Sequence, residues 1–296
     1  MTATGTTPIR ALMRGLVDYA GLFPPAGMSM AEAVRQYHAY LAGEDRWALG
    51  RFVVPASRLD EFRAAFEDVC CGEREPVWGL SVLGSGDAAK DARAIAELPR
   101  GAVRVECVEL KAVSAAEVRV LLEGFVGGAV AYVEFAPGEA EKMLPVLARY
   151  AARAKIRMGG LTADAIPALE VVADFLVACA RAQVPFKATA GLHHAVRGMY
   201  ALTYEPESAR AKMHGYVNVF LAALLAWRGE NAAAVWETLA ETDAGAFRFG
   251  DESVRWLGHD AGVDEIEAMR REFAVSYGSC SFEEPVEEAR ALGWLR

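Results

Sequence analysis

Residues 129–160, AVAYVEFAPGEAEKMLPVLARYAARAKIRMGG, contain the pattern that decides the fold. A short apolar run is followed by a turn, an amphipathic stretch of helical period and a second apolar run. Two parallel strands joined by a crossover helix have this order. The stretch therefore predicts a strand–helix–strand unit of a parallel sheet.

Similar units precede and follow this one. From residue 47 onward they recur roughly every 26 residues. Their apolar runs begin near Trp47, Val77, Val103, Ala129, Lys155 and Val184. Helical patterns between the runs cover Ser57–Val69, Asp87–Leu98, Ser114–Phe125, Gly138–Arg153 and Thr162–Ala182. An earlier strand at Leu16–Gly21 and helix at Met28–Leu41 complete a series of seven units. Two helix starts also have the spacing of a capping box, Ser29 with Glu32 and Ser114 with Glu117.

Seven such units, with about 100 further residues, predict an α/β protein with a TIM-like (βα)8 barrel rather than an open sheet. No G-x-G-x-x-G sequence follows a strand, which also disfavours a dinucleotide-binding fold. We expect one barrel domain over residues 1–296, with an elaborated C-terminal region from about residue 195 to residue 296.

The eighth unit is irregular. Ala246–Phe249 is one candidate for its strand, but residues 247–256 are more typical of a hairpin. We favour Tyr277–Phe282 as the strand and Pro285–Trp294 as the final helix. The connection from Ala195 to Ser208 is longer than usual, and we expect it to form a lid.

Composition excludes several classes of partner. The net charge of −9 in 296 residues argues against nucleic acid, whose phosphates would be repelled. No run of 18 uncharged apolar residues predicts a membrane span, and residues 1–8 lack the apolar core of a signal peptide. The five cysteines form no C-x-x-C pair, which favours reduced thiols in a cytoplasmic protein. Homo-oligomer formation stays open.

Residues 184–194, VPFKATAGLHH, give the strongest functional signal. They predict a buried strand with Lys187 at its centre. An unpaired ammonium in a strand core costs several kcal/mol, and burial lowers a lysine pKa so that the amine becomes available for chemistry. The segment therefore indicates an active site.

Alternation along the other strands turns further polar side chains into the barrel. The inward set comprises Tyr132, Glu134, Lys155, Arg157, Lys187 and Thr189, with Glu109 and Lys111 on one face of their strand and Asp18 and Tyr19 at the end of the first. Charges of both signs at the carboxyl ends of several strands suit a small, polar or anionic substrate.

We expect Lys187 to act as a Schiff-base nucleophile, and we expect Lys155 and Arg157 to repel its proton and hold an anionic substrate group. Glu134, Asp18 and Tyr19 are the candidates for proton transfer. The alternative is a structural lysine paired with Glu134 or Glu109.

The three histidines near the expected site do not by themselves indicate a reaction. His193 and His194 point in opposite directions on extended backbone, so only one should serve the site. A metal bound by a histidine, Glu134 and Asp18 is an alternative, but no compact metal-binding spacing supports it, so we expect neither a metal nor another cofactor. His214 shares a helix face with Asn218, and either faces the site or packs.

Two glycine-containing segments follow the sixth and seventh strands. The backbone at Gly159-Gly160 and Gly191 could receive a phosphate or carboxylate, or could simply form tight turns. Gly278-Ser279-Cys280-Ser281 suggests a nucleophile, but no histidine is adjacent in sequence. Ser281 with Glu284 better fits a helix cap.

The segments DYAGLFPP (residues 18–25), KIRMGG (155–160), FKATAGLHH (186–194) and GSCSF (278–282) together resemble a family of uncharacterised bacterial proteins, over most of the chain and with no assigned reaction. Residues 186–191, FKATAG, are also similar to the class I deoxyribose-phosphate aldolases, which are βα barrels with a strand lysine followed by small residues and glycine. That resemblance implies the Schiff-base role for Lys187, although His193 and His194 depart from it.

The predicted function is therefore a lyase or aldolase acting on a small anionic metabolite through Lys187, Glu134, Asp18 and His193. Lys155, Arg157, Glu109, Lys111, Thr189, His194, His214 and Tyr19 are the expected substrate-binding residues. The rivals are a metal-dependent hydrolase or isomerase and a non-catalytic anion-binding barrel.

Overall fold

The computed structural model describes residues 6–70, 76–124 and 128–295. Its strands, in chain order, are β1 (Val17–Tyr19), β2 (Leu49–Pro55), β3 (Trp78–Leu83), β4 (Val103–Lys111), β5 (Val130–Glu134), β6 (Arg153–Arg157), β7 (Phe186–Thr189), β8 (Gly198–Ala201), β9 (Arg210–Met213), β10 (Arg248–Phe249), β11 (Ser253–Trp256), β12 (His259–Gly262) and β13 (Ala274–Ser279). Strands β1 to β7 and β13 form a closed barrel of eight parallel strands, in which β13 lies between β7 and β1. The predicted TIM-like barrel is confirmed.

The helices surround this barrel and alternate with its strands. They are α1 (Pro8–Met13), α2 (Met30–Ala42), α3 (Leu59–Cys70), α4 (Ala88–Ala96), α5 (Ala115–Gly124), α6 (Ala140–Arg149), α7 (Leu169–Arg181), α8 (Tyr216–Arg228), α9 (Ala232–Ala240), α10 (Val263–Glu272) and α11 (Glu283–Ala291). Each predicted helix is present and shorter than predicted. In three of them, single turns of 3-10 helix at residues 56–58, 137–139 and 163–165 replace the start of the pattern. The predicted end of one helix at Phe125 lies outside the described residues.

Local sequence signals set the helix starts. The capping box at α2 forms as predicted, because the Ser29 side chain accepts from the backbone of Glu32 while the Glu32 carboxylate accepts from the backbone of Ser29. At α5 the Ser114 hydroxyl accepts from the backbone N–H of Glu117, but the Glu117 carboxylate binds the backbone N–H of Val113. Both arrangements satisfy amide groups that a helix start leaves without partners.

Apolar side chains fill the layer between barrel and helices. Around Trp78, the rings of Tyr37, Phe52, Phe62 and Phe66 pack with centroids 4.7 to 6.2 Å apart. Helix α8 is buried from Tyr216 to Ala226, as its largely apolar sequence predicts. In the described part of the chain, no helix combines the length and apolarity needed to cross a membrane.

The eighth strand of the barrel is β13, in the favoured region but three residues earlier than predicted. The predicted hairpin at residues 247–256 also forms, and β12 extends it into a three-stranded antiparallel sheet outside the barrel. These elements separate β7 from β13 along the chain, which explains the irregular eighth unit.

The predicted lid is partly a β-hairpin rather than a loop. Strands β8 and β9 pair in antiparallel register, and Leu202 and Met213 from this hairpin line the mouth of the barrel. The hairpin therefore covers the end of the barrel at which the parallel strands finish.

Candidate active site

The barrel interior is charged, whereas barrels of this type are commonly filled by branched apolar residues. Seven ionisable side chains form one continuous series of ion pairs, in which cations and anions alternate. In order they are Arg51, Asp18, Lys187, Glu109, Lys155, Glu134 and Arg157. Strands β1, β2, β4, β5, β6 and β7 each contribute at least one member. Alternation predicts the inward direction of Glu134, Lys155, Arg157 and Lys187.

Lys187 lies at the centre of this series. Its Nζ is 2.6 Å from Oδ2 of Asp18 and 2.6 Å from Oε1 of Glu109, and its side chain has no solvent exposure. Ser276 donates a hydrogen bond to the same Asp18 oxygen, and Ser81 donates to the same Glu109 oxygen. Paired and hydrogen-bonded charges of this kind can be buried without the full penalty of desolvation.

Lys155 lies one strand away and closer to the mouth. Its Nζ is 2.6 Å from Oε2 of Glu109 and 2.9 Å from Oε2 of Glu134. The other Glu134 oxygen is 3.3 Å from Nε of Arg157, whose side chain is 53% exposed. The charge series therefore runs from a closed interior at Lys187 to a solvent-accessible guanidinium at Arg157.

These contacts determine the charge states. Burial alone would lower the pKa of Lys187, but the Asp18 and Glu109 carboxylates raise it above its usual value. Burial would raise the pKa of Glu109 and Asp18, but the lysine ammonium groups and, for Asp18, Arg51 hold both below their usual ranges. Lys187 is therefore an ammonium ion, contrary to the expectation that Lys155 and Arg157 repel its proton, because two carboxylates stand between it and the other cations.

A cavity of about 320 Å³ lies at the carboxyl ends of the barrel strands. It has the size of a small-molecule site and the location at which barrel enzymes act. Its polar lining consists of Glu109, Lys155, Arg157, Thr189, His193 and Cys280. A larger cavity, of about 540 Å³, lies outside β4 near α4 and α5, and is lined mainly by apolar side chains. The charge series meets the smaller cavity, which is therefore the candidate site.

Four predicted site residues, Tyr19, Lys111, His194 and His214, belong neither to this cavity nor to the charge series. Tyr19 turns towards the helices, where its hydroxyl donates to Gln36 at 2.6 Å, because Asp18 takes the inward direction on β1. Lys111 is exposed at the end of β4. His214 is buried and hydrogen-bonds to the carbonyl oxygen of Pro167 at 2.8 Å, and it does not line the cavity.

His193 and His194 face in opposite directions, as predicted. His193 lines the cavity, with Nδ1 3.0 Å from the Glu284 carboxylate. His194 instead stacks on Tyr200 with ring centroids 3.4 Å apart and pairs with Glu288 at 3.5 Å. His194 therefore anchors the β8–β9 hairpin.

Several site residues were missed from sequence. Arg51 extends the charge series, and Ser81 and Ser276 complete the hydrogen bonds of the two central carboxylates. Their inward positions follow from strand alternation, but their partners come from distant strands. Cys280 was set aside because no histidine is its neighbour in sequence, yet its sulfur lies 4.0 Å from both ring nitrogens of His193.

The turns after β6 and β7 approach each other closely. A Cβ at Gly159 would lie 2.8 Å from the Cα of Gly191, and Gly191 has a φ of +70°. Ala190, which lines the cavity, has a φ of +60°, a conformation that costs a non-glycine residue roughly 1–2 kcal/mol. Glycine at 159 and 191 is therefore required for the shape of the mouth.

No protein-family model matches the chain, and no curated protein matches it in sequence. Among residues 6–70, 76–124 and 128–295, no three histidine, cysteine or acidic side chains converge in a way that could hold a metal ion. Asp18 and Glu134, the expected metal-binding carboxylates, are committed to ion pairs with Lys187 and with Lys155 and Arg157. The barrel fold and the position of its polar cavity are compatible with an enzyme.

Proposed function

We propose that this protein is a lysine-dependent lyase of the aldolase type, with Lys155 rather than Lys187 as the Schiff-base nucleophile. The observation that carries the proposal is the separation of the two strand lysines. Lys155 lines the mouth cavity, whereas Lys187 is completely enclosed by its partners. A nucleophile has to reach its substrate, and the lysine that borders the cavity meets this requirement.

The chemistry requires the amine of Lys155 to attack the carbonyl carbon of an aldehyde or ketone, with loss of water to form an imine. The protonated imine then accepts the electron pair of the bond between its α and β carbons as that bond breaks, while a β-hydroxyl group loses its proton and leaves as a carbonyl product. Protonation and hydrolysis of the remaining enamine release the second product and the free lysine. Before the attack Lys155 has to lose a proton, and Glu109 and Glu134 are acceptors at 2.6 and 2.9 Å. Because the pKa of both carboxylates is lowered, they are weak bases, and proton removal is the demanding step.

The substrate class follows from Arg157. Its guanidinium borders the cavity, is half-exposed and, among the residues that the structure describes, keeps only one ion pair, at 3.3 Å to Glu134. Arginine is well suited to bind a carboxylate or phosphate with two parallel hydrogen bonds. The favoured substrate is therefore a small aldehyde, ketone or keto acid with an anionic group.

The proposal is tested by turnover of a panel of phosphorylated and carboxylated aldehydes and keto acids, followed by NMR of the products. Lys155→Arg is the matched variant, because arginine preserves the positive charge between Glu109 and Glu134 but forms no imine. We expect carbon–carbon cleavage by the wild-type protein and none by the variant. Equal turnover by both proteins would overturn the role of Lys155.

One observation favours a second candidate, a non-catalytic anion-binding barrel. Each carboxylate of the charge series, Asp18, Glu109 and Glu134, already pairs with two cations of the protein itself. A network whose carboxylates are paired in this way can serve stability alone. This candidate predicts that ligands from the same panel raise the melting temperature of both proteins without any turnover.

A further inference from the structure

A second reactive group faces the mouth cavity. Cys280 follows β13 directly, and its side chain lines the cavity although the residue is only 6% exposed. The His193 ring lies on one side, with both nitrogens 4.0 Å from the sulfur. The hydroxyl of Tyr204, from the connection between β8 and β9, lies 3.6 Å from the sulfur. The thiol is therefore shielded from bulk water and open to the cavity.

Glu284 completes this cluster. Its carboxylate is 3.0 Å from Nδ1 of His193, and its own position is fixed by a hydrogen bond from its backbone N–H to the Ser281 hydroxyl at 3.2 Å. Ser281 thus accepts a hydrogen bond from the first turn of α11, as its spacing to Glu284 predicts, although the N-cap position is taken by Phe282. A histidine held by a carboxylate and adjacent to a thiol is the arrangement by which proteins activate a cysteine.

The charge state of His193 fits this arrangement. Burial alone would lower the pKa of His193, but its contacts with Cys280 and Glu284 raise it to about 9. The ring therefore favours the imidazolium form at neutral pH and places a positive charge beside the sulfur.

Two other buried cysteines provide a contrast within the same molecule. Cys107 donates to Ser81 inside the barrel, and burial raises the pKa of its thiol. Cys179 is enclosed in the core on α7, where burial raises its pKa well above the usual value. Cys280, by contrast, borders the cavity and lies next to the His193 imidazole, which is held by the Glu284 carboxylate.

We propose that Cys280, activated by His193 and Glu284, is a nucleophilic thiol that captures small aldehydes in the mouth cavity as hemithioacetals. The sulfur attacks the carbonyl carbon, and an S–C bond forms while the carbonyl π electrons move to oxygen. That oxygen takes a proton from the His193 imidazolium, and the Sγ proton replaces it on the ring. Atoms and electrons balance without an oxidant, and the reverse steps release the aldehyde.

The choice of an aldehyde rests on the proposed function, whereas the activation of the thiol rests on the cluster geometry alone. The first experiment therefore tests activation. The intact protein is labelled with iodoacetamide at pH 7, and peptide mass spectrometry follows each cysteine separately in wild type, His193→Gln and Glu284→Gln. We expect labelling of Cys280 to slow roughly tenfold or more in His193→Gln, with a smaller loss in Glu284→Gln.

Cys179 is the internal control, because it reacts only if the core opens. Equal Cys280 rates in wild type and His193→Gln, with Cys179 unlabelled in both, would overturn the proposal. Labelling of Cys179 in His193→Gln would show that this variant has lost its core packing, and Glu284→Gln is then compared with the wild type instead. A Cys280 labelling rate in Glu284→Gln equal to that of the wild type would also overturn the proposal.

The second experiment tests capture with glycolaldehyde as the probe in Lys155→Arg, which forms no imine. We expect the aldehyde to slow iodoacetamide labelling of Cys280 severalfold and reversibly, while unchanged labelling would overturn the capture step. The complementary variant Cys280→Ser keeps Lys155. If neither Cys280→Ser nor the wild type forms an imine, the proposed function fails. This inference stands in that case, provided that Cys280 of the wild type is still labelled rapidly.

Discussion

Lys155 and Lys187 are direct partners across neighbouring strands β6 and β7, and each binds a different oxygen of the same Glu109 carboxylate. The shared carboxylate allows two ammonium groups to coexist inside the barrel. Their surroundings differ, because Lys187 also binds the buried Asp18 whereas Lys155 borders the cavity. We infer that Lys187 maintains the interior and that Lys155 is available for chemistry.

The first prediction concerns the structural role of Lys187. Lys187→Met should lower the free energy of unfolding by about 3–5 kcal/mol, because the change leaves the Asp18 and Glu109 carboxylates buried with fewer partners. Lys111→Met is the matched control, since Lys111 is an exposed strand lysine, and should change stability by about 0.5 kcal/mol or less. Urea denaturation measures both values. Equal stability of the two variants would mean that Lys187 is not a structural ion-pair partner.

Acid should destabilise the protein through Asp18 and Glu109. Both carboxylates have a pKa held below the usual value, so the unfolded chain binds protons that the folded protein does not. Their contribution is present above about pH 5 and should be lost as pH falls through about 4 and below. Urea unfolding between pH 3 and pH 6 measures this slope.

Glu109→Gln should flatten the acid slope, because it removes one of the two groups. Glu67→Gln is the control, since Glu67 is exposed on α3. A slope that is the same in Glu109→Gln as in Glu67→Gln would show that acid sensitivity arises outside the charge series.

Arg157 should determine affinity for an anionic ligand. Arg157→Gln removes a charge-assisted contact worth about 1.5–3 kcal/mol, so the dissociation constant or KM of an anionic substrate should rise roughly tenfold or more. Arg149→Gln on the exposed face of α6 should leave it unchanged. Isothermal calorimetry with the ligand that gives the largest thermal shift measures the difference, and equal affinities for the two variants would place the anion elsewhere.

The close approach of the two turns at the mouth should be sensitive to a single methyl group. Gly159→Ala puts a Cβ 2.8 Å from the backbone of Gly191, and the turns have to move apart at a cost of about 1–3 kcal/mol. This movement of the turns should also weaken ligand binding, because Gly191 lines the cavity. Gly138→Ala is the control, since a Cβ there has no heavy atom within 4 Å. Melting temperatures of the two variants within one degree would contradict the account of the mouth.

Much of the fold could be predicted from sequence because the signals are local. Apolar runs, helical period and capping residues lie within about 26 residues of each other, and they define each strand–helix unit before the barrel closes. The inward direction of Glu134, Lys155 and Lys187 follows from alternation alone. The predicted position of the eighth strand was wrong by three residues, because the 84 residues between β7 and β13 interrupt the repeat.

The interactions within the site could not be predicted, because they join residues that are distant along the chain. The partners of Lys187 are 169 and 78 positions away, at Asp18 and Glu109. His193 and Cys280 are 87 positions apart. Sequence therefore indicated that a lysine is buried, but the carboxylates that keep it charged and the histidine beside Cys280 became evident only once the barrel brought them together.

The central claim is that Lys155 is the reactive lysine and Lys187 is not. Reduction with sodium borohydride in the presence of a small anionic aldehyde or keto acid, followed by peptide mass spectrometry, tests it most directly. We predict a stable adduct on the peptide that contains Lys155, lost in Lys155→Arg, with Lys187 unmodified. An adduct on Lys187, or an adduct that persists unchanged in Lys155→Arg, would contradict the account.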